Sequence, residues 1–193
     1  MTDALRFLPL TPDLAGAFTD LFGLSGACYG CWCTYFRLRP ATRAALDGDA
    51  KRDLMLARIA AGPPPGLLAF RDDQPIGWMQ VGPRADVPEW NNPGRSSTPL
   101  PDAPAADPAV WAISCFFVRA RERGRGLSGP FLRAAIAHAR ANDARVIEAS
   151  PMDRAKQSKS IGLFVGSTST FLKAGFTEVA RAKPGRPLVR LLL

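Results

Sequence analysis

The sequence has no long hydrophobic run. Its N-terminal segment, MTDALRFLPLTPDL, contains an acidic residue at position 3 and no apolar stretch typical of a signal peptide. A membrane-spanning helix needs about 18 or more consecutive apolar residues, and no such stretch occurs. The sequence therefore predicts no membrane segment and, by default, a cytoplasmic location.

Cysteine, histidine and tyrosine are also scarce, with four, one and two residues in a chain of 193. Four thiols in a cytoplasmic chain do not make a disulfide framework. Cys28, Cys31 and Cys33 resemble half of a zinc site, but a structural zinc commonly takes four ligands, and Cys115 is the only other cysteine. We predict no metal, because packing of small, soft side chains beside aromatic rings explains this spacing.

Acidic residues are outnumbered by basic ones, 17 against 25, which gives a net charge of +8. Such a charge raises the local concentration of nucleotides, coenzyme phosphates and nucleic acids alike. Much of the excess lies in Arg119–Arg125 and Arg181–Arg190, with no long basic run and few interleaved aromatics. We do not expect a nucleic-acid partner, although a basic nucleic-acid-binding module stays an alternative.

Hydrophobic periodicity predicts an α/β protein of one domain over residues 1–193. The predicted strands are Leu5–Leu10, Gly66–Arg71, Pro75–Val81, Val110–Val118, Arg145–Ser150, Phe176–Ala180 and Leu188–Leu193. The predicted helices are one after Thr11, one over Ala41–Ala61 with a break at Gly48, one from the glycine-rich loop to about Asn142, and one over Phe164–Ala174. Two segments are predicted as long loops, Ser25–Arg37 and the proline-rich Gly82–Ala109.

A glycine-rich loop joins the most apolar strand to a helix. Gly124, Gly126 and Gly129 spell G-x-G-x-x-G, and such a loop at a helix N-terminus binds anions. Glu148 lies at a suitable distance for a dinucleotide-binding fingerprint, but the charged Arg119–Arg123 precedes the first glycine and too little chain follows for a doubly wound sheet. A solvated basic turn that opens an amphipathic helix stays an alternative.

The run FFVRARERGRGLS, Phe116–Ser128, resembles the coenzyme A loop of the GNAT superfamily of acyl-CoA N-acyltransferases. In the family pattern, Q/R-x-x-G-x-G/A, Arg123 takes the Q/R position, Gly126 the fixed glycine and Ser128 the final small position. AGFTEVAR, Ala174–Arg181, resembles the closing helix-to-strand turn of the family. The resemblance implies a single GNAT-like domain, an α/β fold with a mixed, mostly antiparallel central sheet and helices on both faces.

The resemblance implies an N-acetyltransferase that moves an acetyl group from acetyl-CoA, its co-substrate, to a primary amine of a small molecule or peptide in a ternary complex. A non-catalytic acyl-CoA-binding or sensor domain is the alternative. The residues expected to bind acetyl-CoA are Phe116, Phe117, Val118, Arg123, Gly124, Arg125, Gly126, Leu127 and Ser128. The residues expected to bind the amine are Cys31, Trp32, Cys33 and Tyr35. Pairing of Leu188–Leu193 across a homodimer is a further expectation.

The acid and base of the reaction are the weakest part of the resemblance. The family often has a tyrosine four residues before the glycine of the closing turn, where this chain has Phe171. Tyr29 and Tyr35 are the only phenols, and we predict Tyr35 as the proton donor. Because Val110–Val118 contains no carboxylate, Glu148 is the candidate base, since burial would raise its pKa. A structural carboxylate paired with an arginine is the equal alternative.

Overall fold

The structure is a computed structural model that describes residues 5–153 and 162–193. Its strands form one seven-stranded sheet in the order β1-β2-β3-β4-β5-β7-β6. The strands are β1 Leu5–Pro9, β2 Gly66–Arg71, β3 Gln74–Pro83, β4 Val110–Val118, β5 Val146–Ala149, β6 Thr177–Lys183 and β7 Arg186–Leu192. The helices are α1 Ala15–Phe22, α2 Pro40–Ala45, α3 Gly48–Ala61, α4 Ser128–Arg140 and α5 Thr168–Lys173.

The sheet is mixed and mostly antiparallel, as predicted. Only β4 and β5 run parallel, and the other neighbours are antiparallel. One face packs against α4 and α5 through Phe131, Leu132 and Phe171. The opposite face packs against α1 and α3 through residues such as Phe18 and Met55. The prediction of helices on both faces is therefore confirmed.

Two sequence predictions do not fit the structure in the last third of the chain. The helix predicted over Phe164–Ala174 is broken at Gly166, whose φ of +74° lies in the left-handed region, so that α5 begins only at Thr168. The C-terminal strand β7 lies between β5 and β6 and is paired on both edges. Val189 and Arg190 are therefore occupied on both edges, so this part of the strand does not fit the predicted pairing of Leu188–Leu193 across a dimer, and the homodimer itself stays a prediction.

The long proline-rich connection between β3 and β4 is folded back onto the sheet. It forms short 3-10 turns at Arg84–Asp86 and Pro88–Asn91. Val87 and Trp90 are buried in it and pack with Ala112 of β4 and with the closing strands. The connection is therefore a packed layer that covers one end of the sheet.

Strand β4 loses its partner halfway along. Val110 to Ile113 pair with β5, whose last residue is opposite Ile113. From Ser114 onward β4 pairs only with β3 among the described residues. The edge of β4 that faces away from β3 is therefore open from Ser114 to Val118.

The hydrogen-bond alternation of β4 determines which residues face this open edge. The amide of Arg119 donates to the carbonyl of Ile76 at 2.9 Å, which makes them a hydrogen-bonded pair. Bonded and non-bonded pairs alternate along an antiparallel ladder. Phe116 and Val118 therefore direct their backbone N–H and C=O groups away from β3, toward the open edge.

Alanine substitutions at Gly66 of β2 and Gly82 of β3 test how tightly the central hairpin is packed. An alanine Cβ at Gly66 would lie 2.2 Å from the carbonyl oxygen of Met79, whereas one at Gly82 would have no neighbour within 4 Å. We predict that Gly66→Ala lowers the free energy of unfolding by about 1–3 kcal/mol through overpacking. Gly82→Ala is the matched control and should leave it unchanged or slightly higher. Urea denaturation measures both, and equal effects would contradict the packing described here.

Candidate active site

Two cavities flank the open part of β4, one on each face of the sheet. The smaller, of about 360 Å³, lies beside the glycine-rich loop and is called here the loop cavity. The larger, of about 650 Å³, lies beneath the segment 25–37 and is called the aromatic cavity. Phe164 lines both cavities. The two cavities therefore meet at the edge that β5 leaves open.

Glycine conformation shapes the loop cavity. Gly124 and Gly126 have φ values of +77° and +73°, which side chains rarely adopt. In the part of the chain that the structure describes, the amides of residues 124–127 donate no hydrogen bond to another residue. The loop leads directly into α4, whose N-terminus adds a partial positive charge. This arrangement fits a phosphate group, because unpaired amides need an acceptor.

Most residues predicted to bind the coenzyme line the loop cavity. These are Phe116, Val118, Arg123, Gly124, Gly126, Leu127 and Ser128. Phe117 points to the other face and lines the aromatic cavity instead, because neighbouring residues of a strand alternate between its faces. Arg125 is exposed, lies 3.7 Å from the Glu122 carboxylate and does not line the cavity. The Nε of Arg123 donates to the carbonyl of Val118 at 3.0 Å and so fixes the start of the loop.

The segment Ser25–Arg37 contributes three of its four predicted residues to the aromatic cavity. Cys31, Cys33 and Tyr35 line it, and Tyr35 is 47% exposed. Trp32 does not line it, so the cavity gives no support to its predicted role as a substrate residue. Its indole is 4% exposed and stacks on Phe22 with the ring centres 5.5 Å apart. Trp32 therefore anchors the segment in the core below the cavity.

Cys33 is the centre of a buried polar group at the floor of this cavity. The indole Nε1 of Trp78 donates to its sulfur at 3.0 Å, and the thiol donates to Oε1 of Gln80 at 2.9 Å. A hydrogen bond with Cys115 and the charge of Arg37 lower the pKa of the Cys33 thiol, although burial opposes them. The side chain of Cys28, part of the predicted half-site, lies outside the described part of the structure, and among the described side chains no cluster of three or more possible metal ligands occurs.

The chain matches one protein-family model and many solved structures. Residues 32–164, well over half of the chain, match the model of the Acetyltransferase (GNAT) family. The chain belongs to this family. No curated protein matches it in sequence.

Solved structures show the same fold at low sequence identity. The GNAT domain of S. lividans PAT is 18% identical, with a TM-score of 0.58 over 98% of this chain and 90% of that one. The PaiA N-acetyltransferase of Thermoplasma acidophilum, solved with coenzyme A, is 10% identical, with a TM-score of 0.54 over 98% and 99%. The yncA protein of Salmonella typhimurium, solved with acetyl-CoA, is 17% identical, with a TM-score of 0.55 over 98% and 94%. Acetyl-CoA, the predicted co-substrate, is thereby confirmed for the family.

Glu148, the candidate base, lies within a buried network of arginines. Its side chain is fully buried and lines neither cavity. One carboxylate oxygen pairs with Arg84, and the other accepts from the Nη2 of Arg190 at 2.7 Å. Arg190 also pairs with Asp102 at 2.5 Å. Of the two roles left open by the sequence, this environment favours the structural carboxylate, and the catalytic role stays an untested prediction.

Phe171, at the position of the family's usual tyrosine, belongs to the core of this GNAT domain. Its ring is 1% exposed and lies edge-on to Phe116 and Phe176 at 6.1 and 5.1 Å. A phenyl ring donates no proton, so any acid must come from another position. Within the described residues, the side chains of the aromatic cavity include no carboxylate.

Ser114 is a site residue that the sequence analysis missed. It is the extra residue of a β-bulge in β4, between Ile113 and Cys115, which pair with consecutive residues of β3. Its hydroxyl is buried, has no hydrogen-bond partner among the described residues and lines the aromatic cavity. A single hydroxyl within an otherwise apolar strand was the available signal. A buried hydroxyl without a partner at the junction of two cavities is available to a ligand.

The buried charge network yields a prediction that separates structure from catalysis. We expect Glu148→Gln to lower the free energy of unfolding by about 3 kcal/mol, because Arg84 would be left buried without its counter-charge. Asp73→Asn removes an exposed carboxylate from Arg6 and is the matched control, with almost no expected effect. Chemical denaturation of both variants tests this. Full stability of Glu148→Gln together with a loss of turnover would restore the catalytic assignment.

Proposed function

We propose that the protein is an N-acetyltransferase that moves the acetyl group of acetyl-CoA directly to a primary amine in a ternary complex. The observation that carries this proposal is the meeting of two cavities at the open edge of β4, with Phe164 lining both. A donor in one cavity and an acceptor in the other would bring their reacting groups together without a covalent enzyme intermediate. Holding both reactants in this way supplies the main catalytic advantage.

The donor is assigned to the loop cavity. The free amides of residues 124–127 would bind its pyrophosphate, and Arg123, which lines the cavity, would add charge; Arg125 would need to turn from Glu122 to do the same. The outward-facing backbone groups of Phe116 and the amide of Val118, whose carbonyl already accepts from Arg123, would pair with the amide groups of its pantetheine arm, as a short added strand does. The thioester would then lie beside Ser114, where β4 leaves β5.

Direct transfer requires no covalent bond between the acetyl group and the protein. Acetyl-CoA supplies an activated thioester, and transfer forms a C–N bond, breaks the C–S bond and passes the amine proton to the departing thiolate. We assign the Ser114 hydroxyl to the thioester carbonyl, where a hydrogen bond stabilises the developing negative charge. Tyr35, at the mouth of the aromatic cavity, is proposed to relay this proton: its hydroxyl donates a proton to the thiolate and regains one from the amine. Cys31 and Cys33 are assigned to the wall of the amine site.

The sensor alternative rested on the absence of the family's tyrosine at Phe171. Ser114 and Tyr35 offer hydroxyl groups at the cavities in its place, which favours an enzyme. The nucleic-acid alternative has no comparable support, because the basic loop is built around glycines with free amides. No helix within the described residues is long and apolar enough to cross a membrane. The cytoplasmic location and a homodimer remain predictions.

A substitution in the loop tests the donor site. We predict that Gly126→Glu abolishes both the thermal stabilisation by acetyl-CoA and the acetylation of amines. The new side chain would strain a left-handed backbone and place a negative charge among the phosphate-binding amides. Gly62→Glu is the matched control, since Gly62 is also left-handed, at +58°, and also has open space around it. Loss of stabilisation in both variants, or in neither, would contradict the assignment.

Two hydroxyl groups can be tested against each other. We predict that Ser114→Ala and Tyr35→Phe each lower kcat on the order of 100-fold, with the KM for acetyl-CoA nearly unchanged. Steady-state kinetics with a saturating amine measures both. Thr177→Ala removes the hydroxyl of an exposed β6 residue that lines neither cavity, and this control should keep kcat within a few-fold. An unchanged kcat for either hydroxyl variant would remove that residue from the mechanism.

A further inference from the structure

The charges of the aromatic cavity are all of one sign. Among the described residues that line it, no aspartate or glutamate occurs. The basic residues that line it are Arg43, Lys51, Arg95, Lys183 and Arg186. They come from four separate parts of the chain: α2, α3, the connection between β3 and β4, and the hairpin of β6 and β7. A cluster assembled from distant segments is a property of the cavity, not of one basic stretch.

None of these five cations forms an ion pair with a carboxylate in the described part of the chain. Arg43 donates to the backbone carbonyl of Tyr35 at 2.8 Å and lies over its ring at 4.3 Å. Arg95 lies over the ring of Phe36 at 5.4 Å. By contrast, buried arginines elsewhere in the protein, such as Arg84, have carboxylate partners. The cavity therefore carries positive charge that the described residues leave unneutralised.

Arg95 and Arg186 are two of these unneutralised positive charges, and they interact with each other. Arg186 donates to the backbone carbonyls of Pro151 and Ser150 at 3.1 and 2.9 Å, which hold its guanidinium at the cavity wall. Burial first, and the nearby charge of Arg95 second, lower the pKa of Arg186. Two like charges that are held close together repel each other unless an anion lies between them.

The rest of the cavity wall is apolar. Phe22, Trp78, Trp90 and Phe117 line it, and its volume of about 650 Å³ is that of a site for a small organic molecule. A polyamine or another purely cationic amine would meet only repulsion at the basic residues. An amine that also carries a carboxylate or phosphate would have both partners it needs, a cationic wall for the anion and rings for its carbon skeleton.

From this geometry we infer that the acceptor is a small primary amine that carries at least one carboxylate or phosphate group, which Arg95 and Arg186 bind. This inference rests on the proposed function, because it assigns the aromatic cavity to the acceptor. It goes beyond that function by excluding cationic amines that lack an anionic group. The amine would lie toward Ser114 and the anion toward the hairpin of β6 and β7.

The test measures binding of simple probes to the protein saturated with coenzyme A. 3-Phenylpropionate carries a carboxylate, phenyl phosphate carries a phosphate, and phenethylamine has a similar ring but only a positive charge. Ligands that bind only the native state raise its melting temperature. We expect stabilisation by at least one of the two anions and none by phenethylamine, and the better anion identifies the group that the site accepts.

Arg95→Gln should weaken binding of that anion by about 10- to 100-fold, which is the effect of removing one hydrogen bond to a charged group. Its affinity for coenzyme A should not change. Arg140→Gln, an exposed arginine of α4 that lines neither cavity, is the control and should bind the anion normally.

Each other result overturns the inference. Binding of phenethylamine as tightly as of the anions, no binding of either anion, or normal anion binding by Arg95→Gln would each do so. Loss of coenzyme A binding in Arg95→Gln would show that the cations hold the donor. If coenzyme A itself fails to stabilise the wild-type protein, the proposed function fails as well, so the two failures are distinguishable.

Discussion

The separation of β4 from β5 is the feature on which the site depends. The two strands pair through Ile113 and Ala149 and no further, so the last five residues of β4 have a partner on one side only. A strand edge with unsatisfied amides and carbonyls is a binding surface for any extended chain of alternating donors and acceptors. In this protein that edge lies between a glycine-rich loop and an aromatic cavity. One local feature of the sheet thus provides a place for both reactants.

A second constraint keeps the aromatic cavity in shape. Glu148 on β5 forms ion pairs with Arg84, in the connection between β3 and β4, and with Arg190 of β7. Arg190 forms a second ion pair with Asp102, which lies in the same connection as Arg84. The Nη2 of Arg84 also donates to the carbonyl of Ser97. These interactions hold in place the part of the connection that contains Arg95 and Ser96, which line the cavity. The buried carboxylate acts at a distance from the chemistry, by positioning the wall.

Much of the fold was accessible from the sequence because local signals were strong there. The apolar run Val110–Val118 predicts β4 with its correct bounds, and the glycines of the next loop predict the left-handed turns of the loop cavity. A break separates α2 from α3 close to the predicted position, at Leu46 and Asp47, and Gly48 begins α3. These features depend on neighbours in sequence. The family resemblance added the pairing pattern of the sheet, which no local signal contains.

The predicted roles of Glu148 and Trp32 and the omission of Ser114 share one physical cause. The sequence does not show which distant groups will meet. In the sequence, Glu148 fits the role of a base as well as that of a structural carboxylate. The structure places Arg84 and Arg190 beside its two oxygens. Trp32 lies among cavity residues in sequence, but its ring turns into the core against Phe22. Ser114 draws no attention until a bulge in β4 leaves its hydroxyl without a partner. In each case the environment, and not the residue type, decides the role.

The most direct test of the account is a crystal structure of the protein grown with coenzyme A. The account predicts that the pyrophosphate lies against the amides of residues 124–127, that the pantetheine arm pairs with the backbone of Phe116 and Val118, and that the thiol ends beside Ser114. The aromatic cavity should remain open to an acceptor. Coenzyme A bound in the aromatic cavity, or on another face of the protein, would contradict the assignment of both cavities.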